Sequence, residues 1–173
     1  MKKWMLLGAL ALTGCAQITQ YQQAVKTPAP ANLQGYWQTS GPQSGLVSDQ
    51  AIGSLIISAE GDTLDCRQWQ RVIAKPGKLT LLSGQYVNVN KQLRVMPLEL
   101  EGDVLHYDKL KLKKVARPTL ECQQALEAVS AQPDAVVIQN IQPQLMRAVF
   151  ADPSAPQPVQ QPEPTAQQPA SQP

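Results

Sequence analysis

The 173-residue chain carries 15 basic and 13 acidic side chains, a formal charge of +2, with no clustered excess of Lys and Arg of the kind a nucleic-acid partner requires. Three cysteines and one histidine, none at ligand spacing, exclude a resident metal centre, and no other cofactor is implied. Aromatic residues make up only 5% of the chain, so a core has to rest on Leu, Ile and Val with covalent help.

Lys2 and Lys3 precede an apolar run, Trp4 to Leu12, too short to cross a bilayer as a stable helix. The run ends in Leu12-Thr13-Gly14-Cys15, which resembles the lipobox of bacterial lipoproteins: a Leu, two small residues and Cys. The resemblance implies that residues 1–14 are a signal peptide, that the Cys15 sulfur receives a diacylglyceryl group, and that its new amino terminus is acylated. A buried methylene contributes about 0.8 kcal/mol, and two lipid signals already anchor stably, so three chains hold a protein on its membrane. Bacterial lipoproteins with Asp directly after the acylated Cys tend to stay in the inner membrane. Ala16 stands there instead, which implies the outer membrane, with the protein facing the periplasm. Lys2 and Lys3 account for the whole formal excess: the mature chain has 13 basic and 13 acidic residues.

Residues 15–34 read as an acylated tether. Ile18, Tyr21 and Val25 could make two or three helical turns, which Pro28 and Pro30 would end. A folded β domain is expected over residues 35–131. Gly35 to Thr39 and Ser54 to Ser58 are strands, and Glu60-Gly61-Asp62 is a turn. A return strand runs from Thr63 to Ile73, with Leu64 and Cys66 on one face and a bulge where the alternation slips near Gln68. Pro76-Gly77 is expected to turn the chain. Strands then follow at Leu79–Leu81, Tyr86–Val89, Leu93–Val95, Val104–Tyr107 and Leu110–Val115, with Pro97 confining one of them to an edge or irregular end. Short strands at this spacing predict a mainly β fold: a small antiparallel barrel or curled sheet of about seven or eight strands.

Pro118 starts the one helix, in which Cys122, Ala125, Leu126 and Val129 form a narrow apolar stripe and Glu121 lies away from it. Residues 132–173 form a Pro/Gln-rich tail, expected to be disordered, with one apolar island at Leu145-Met146-Arg147-Ala148-Val149-Phe150. With Cys15 lipidated, two thiols remain in an exported protein, and an oxidising periplasm favours a Cys66–Cys122 disulfide. Such a loop closure stabilises by about 4 kcal/mol in the chain-entropy model.

Several segments resemble the YedD-like lipoproteins of enterobacteria. They include Gly35-Tyr36-Trp37-Gln38, Ala51 to Ile56, the run EGDTLDCRQWQRVIA from Glu60 to Ala74, Pro76 to Leu81, and Arg117-Pro118-Thr119 with Glu121-Cys122. The resemblance covers residues 1 to about 124 and supports the lipoprotein and disulfide readings without implying a reaction.

No catalytic residues stand out. His106 has no nucleophile or carboxylate placed beside it, and Asp62 and Asp65 straddle a turn, where Asp commonly bonds locally. Gly35-x-Trp37 resembles the opening of lipocalins, barrels that hold small ligands. Ser83-Gly84-Gln85-Tyr86 resembles the Ser-Gly-x-x-Tyr loop of lipoprotein lysozyme inhibitors, one residue short. Lys109, Lys111 and Lys113 place three ammonium groups on one strand face, suited to an anionic envelope polymer or to a lysine-protected edge strand. The expected function is that of a non-enzymatic envelope binding or accessory module on the outer membrane. Its partners would be the membrane, through the lipid, and an envelope protein or polymer. The alternative is a lipocalin-like ligand binder or an inhibitor-like barrel.

Overall fold

The computed structural model describes residues 18–133, 135 and 137–140; Cys15, the signal peptide and the apolar island at 145–150 lie outside the described residues. Eight strands follow one another: β1 (Gly35–Thr39), β2 (Ile52–Ile57), β3 (Asp62–Gln68), β4 (Arg71–Leu82), β5 (Gln85–Asn90), β6 (Val95–Glu101), β7 (Val104–Tyr107) and β8 (Leu110–Val115). Each pairs antiparallel with the next, and β8 returns to β1 in the register Tyr36↔Val115 to Thr39↔Leu112. The sheet therefore closes into the antiparallel barrel that the strand spacing predicts. The helix α1 (Leu120–Ala131) and a further strand β9 (Val137–Asn140) follow.

Turn chemistry sets the strand boundaries. Ser83-Gly84 and Asp108-Lys109 hold positive φ at both positions (50° and 81°, 46° and 66°), the left-handed pair whose twist suits a two-residue hairpin. The slip near Gln68 is not a bulge. The chain reverses there, and the Trp69 amide donates to the Arg71 carbonyl across a tight turn. Pro76-Gly77, in contrast, is no turn but the middle of β4. That strand serves three partners in succession: β3 over Val72 to Lys78, β5 over Gly77 to Leu82, and β9 over Arg71 to Ala74. Pro76 falls where β5 has ended and β9 has not begun, a gap in which a missing N–H is tolerated. Pro97 does the same in β6: its β5 pairing ends there, and its β7 pairing starts at Leu98. Gly77 is required by space, because a Cβ would lie 2.5 Å from Asn88 Oδ1 and 2.9 Å from the Val89 carbonyl.

Alternate residues fill the barrel. Trp37, Leu55, Ile57, Leu79, Leu105, Tyr107, Leu110 and Leu112 form its buried core. One end is closed by a segment expected to be a free tether. The Thr27 amide donates to the Leu79 carbonyl and the Ala29 amide to the Ala59 carbonyl, while Ala29 and Leu33 join the core. Among the described residues of this stretch, one 3-10 turn, Tyr21–Gln23, forms in place of two or three helical turns. Tertiary burial of its few apolar side chains outweighs its Pro- and Gln-rich composition.

The helix covers the outer face of β3. Cys66 and Cys122 are both fully buried there and disulfide-bonded, with 6.1 Å between their Cα atoms. Thr119 caps the helix: its hydroxyl oxygen accepts from the Cys122 amide and donates to Gln68 Oε1 at 2.7 Å. Glu121, placed on the solvent side by periodicity, is buried, because the first helical turn packs on the barrel. The boundary drawn at residue 131 also falls short: β9 extends the sheet along the part of β4 that β5 leaves unpaired.

Candidate functional site

In a closed meander, alternate connections fall at one end. The β1–β2 loop (residues 40–51), the Trp69-Gln70 turn, the 91–94 turn and the Asp108-Lys109 turn surround the end opposite the 27–33 segment. Between them lies an open cavity of about 610 Å³. The β1–β2 loop leans over Leu110: a Cβ on Gly45 would lie 2.8 Å from Leu110 Cδ2, and one on Gly53 2.6 Å from Leu110 Cδ1. Gln43 holds the loop to β8 from outside, its amide donating to the Lys111 carbonyl and its oxygen accepting from the Lys111 amide.

A continuous polar chain runs from the barrel centre to this mouth. Thr63 Oγ1 donates to Asn88 Oδ1 at 2.6 Å, Asn88 Nδ2 to the Tyr107 hydroxyl at 2.7 Å, and that hydroxyl to Asp65 Oδ2 at 3.0 Å. Arg67 then bridges two carboxylates, with Nε 2.6 Å from Asp65 Oδ1 and an NH2 nitrogen 3.1 Å from Asp108 Oδ2. Arg94 closes the series at 2.9 Å from Asp108 Oδ1. Burial first, and then the Asp65 charge, push the Tyr107 phenol well above its ordinary value. Burial works against the Arg67 charge, but the charge of Asp65 and its hydrogen bond outweigh it, so the guanidinium is held more firmly than usual. Neither group is a proton donor or acceptor near neutral pH, and the network is an ordering device.

The residues singled out from sequence separate cleanly. Asp65 enters this network, while Asp62 points outward and pairs with Lys26 at 2.9 Å. His106 lies on the outer wall, 3.2 Å from Glu101 Oε2. Ser83-Gly84 is a plain hairpin turn at the closed end, and Tyr86 packs on the core. Trp37 closes the barrel floor, donating from Nε1 to the Leu33 carbonyl at 2.8 Å with Lys114 over its ring. Lys109, Lys111 and Lys113 share a shallow outer groove of about 420 Å³ with Ser40 and Gln43. β8 is not an edge strand, since β1 and β7 flank it. The Arg67–Asp108–Arg94 bridge was missed. Thr63, Asp65 and Arg67 alternate with Leu64 and Cys66, so they read as a solvent face. Only closure of the sheet, with α1 on the outside, turns them inward.

A larger groove of about 1160 Å³ lies on the outer wall between the 18–34 segment and α1. Its Lys26 is neutralised by Asp62, and Lys78 is engaged by the Ala24 carbonyl and the Tyr21 ring. The mouth, in contrast, gathers converging charges.

Residues 18–126 match the family described as "Bacterial lipocalin LPS transport optimiser YedD". The chain belongs to the YedD family. It is 57% identical over 128 residues to the lipoprotein YedD of Salmonella typhimurium, covering 73% of this chain and 91% of the relative. It is 56% identical over 128 residues to YedD of Escherichia coli, covering 73% and 93%. The crystal structure of the lipoprotein YedD from Klebsiella pneumoniae superposes with a TM-score of 0.64 at 49% identity, covering 67% of this chain and 99% of that one. These YedD relatives are matched nearly end to end, so this chain carries additional sequence that they lack.

Proposed function

We propose that the protein is a lipid-anchored, non-enzymatic accessory to lipopolysaccharide transport, held on the outer membrane through Cys15, facing the periplasm and acting through its barrel mouth. The family description names that transport, and the Leu12-Thr13-Gly14-Cys15 lipobox supports the anchor. One observation carries the choice of an accessory over a lipid carrier. The barrel centre is occupied by Leu55, Leu79, Leu105, Leu112 and the bonded Tyr107, which leaves an acyl chain no room, whereas the mouth is open and charged. The Lys109, Lys111 and Lys113 groove offers a second, anion-attracting face for an envelope polymer. Binding without chemistry fits the Asp65 carboxylate, which is already committed to Arg67 and Tyr107.

Cells lacking the protein test this reading when complemented with the wild type or with Cys15→Ser. The wild type should take up labelled palmitate and restore delivery of lipopolysaccharide to the outer-membrane fraction; Cys15→Ser should do neither. Full labelling of Cys15→Ser removes the anchor, and normal delivery without the protein removes the transport role.

A further inference from the structure

We propose that the mouth binds the phosphate group of a phosphorylated saccharide, held by Lys75 and Arg71 on the β4 wall. This rests on the reading of the mouth as the contact site and names what it contacts. Four cations, Arg67, Arg71, Lys75 and Arg94, line the cavity against two carboxylates, Asp65 and Asp108. Both carboxylates are already used: Asp65 by Arg67 and Tyr107, Asp108 by Arg67 and Arg94. Arg71 and Lys75 are therefore surplus, and among the described residues neither side chain has a hydrogen bond or ion pair.

Their placement makes that surplus informative. Arg71, Ile73 and Lys75 share one face of β4, and Lys75 stands opposite Asp65 in register, inside the barrel wall. Among the described residues its half-buried side chain makes no ion pair, Asp65 being committed to Arg67 and Tyr107, and a neutral polar residue would cost the fold less there. A phosphate dianion supplies the missing charge. Its oxygens can accept from the three ammonium donors of Lys75 and from the planar fork of Arg71. The buried Asp65 keeps such an anion off the floor and against the β4 wall. A bare phosphate would leave most of the 610 Å³ empty, so the phosphate carries a body. The Gln70 amide and the half-buried Trp69 ring offer that body hydrogen bonds beside a flat apolar surface, which suits the hydroxyl groups and C–H face of a sugar.

Calorimetric titration of the acylated full chain in detergent micelles tests the site with glucosamine 1-phosphate, glucosamine and inorganic phosphate. The sugar phosphate should bind, glucosamine should not, and inorganic phosphate should bind about tenfold more weakly than the sugar phosphate. Lys75→Gln and Arg71→Gln should each weaken sugar-phosphate binding by about tenfold or more, and Arg117→Gln, exposed beyond the end of β8, should leave it unchanged. Lys75→Gln should also keep or raise the thermal midpoint, because it removes an uncompensated cation. Lipopolysaccharide added as competitor distinguishes the source. Displacement identifies a lipid headgroup, and no displacement identifies a free sugar phosphate; either supports the site. Absent sugar-phosphate binding, wild-type affinity in Lys75→Gln, or a fall of several degrees in that variant's midpoint overturns the proposal. If binding behaves as stated while cells without the protein deliver lipopolysaccharide normally, the site stands and the transport reading fails.

Discussion

Tyr107 connects the two halves of the interior: its ring belongs to the apolar core, and its hydroxyl links Asn88 to Asp65. Tyr107→Phe keeps the packing but strands both partners, and should cost about 1–3 kcal/mol in urea unfolding at neutral pH. The phenol adds a pH dependence whose sign is fixed. Its folded pKa is raised above the ordinary 10.0, so the stability it contributes is complete below that value and is lost as pH rises through the folded pKa. The wild type should therefore lose stability more steeply than Tyr107→Phe above about pH 10. Parallel pH profiles would show that the buried phenol is not what titrates.

The helix and the barrel are separate elements until the disulfide joins them. Cys66 and Cys122 are 56 residues apart in sequence and meet under α1, where Ala125 and the Thr119–Gln68 bond complete the contact. Cys66→Ala and Cys122→Ala should each destabilise by about 2–5 kcal/mol, with the double variant little worse than either, because one bond is lost in all three. Additive losses would mean that each sulfur acts through packing alone. Intact mass after alkylation, with and without reductant, reads the bond directly: the unreduced mature protein should take no label at these two positions.

For the molecule as a whole, the 18–34 segment is part of the fold and not a spacer. Starting the chain at Gly35 removes Leu33 and Ala29 from the core and exposes the Trp37 indole N–H that Leu33 satisfies. The loss should be about 3–5 kcal/mol, read as a lower urea midpoint than that of a chain starting at Ile18. Equal midpoints would show that the barrel floor closes without it. With Cys15 acylated as proposed, the three-residue reach to Ile18 keeps the barrel within about 10 Å of the anchored sulfur.

Strand spacing and the cysteine arithmetic were legible in the linear sequence, because each depends on local residue pattern or on residue count. Pro76-Gly77 and Pro97 misled because a proline is local evidence against a strand, while its tolerance depends on whether a neighbouring strand is present at that position. The mouth was invisible for a related reason. Alternation assigns Asp65 and Arg67 to the face opposite Leu64 and Cys66, but it cannot tell inside from outside when both faces are covered. The sequence by itself determined a mainly β chain with one helix, and the alternation that puts Thr63, Asp65 and Arg67 on one face of their strand. Only the tertiary structure decided which face turns inward, since that depends on β8 closing onto β1 and on the helix occupying the outside.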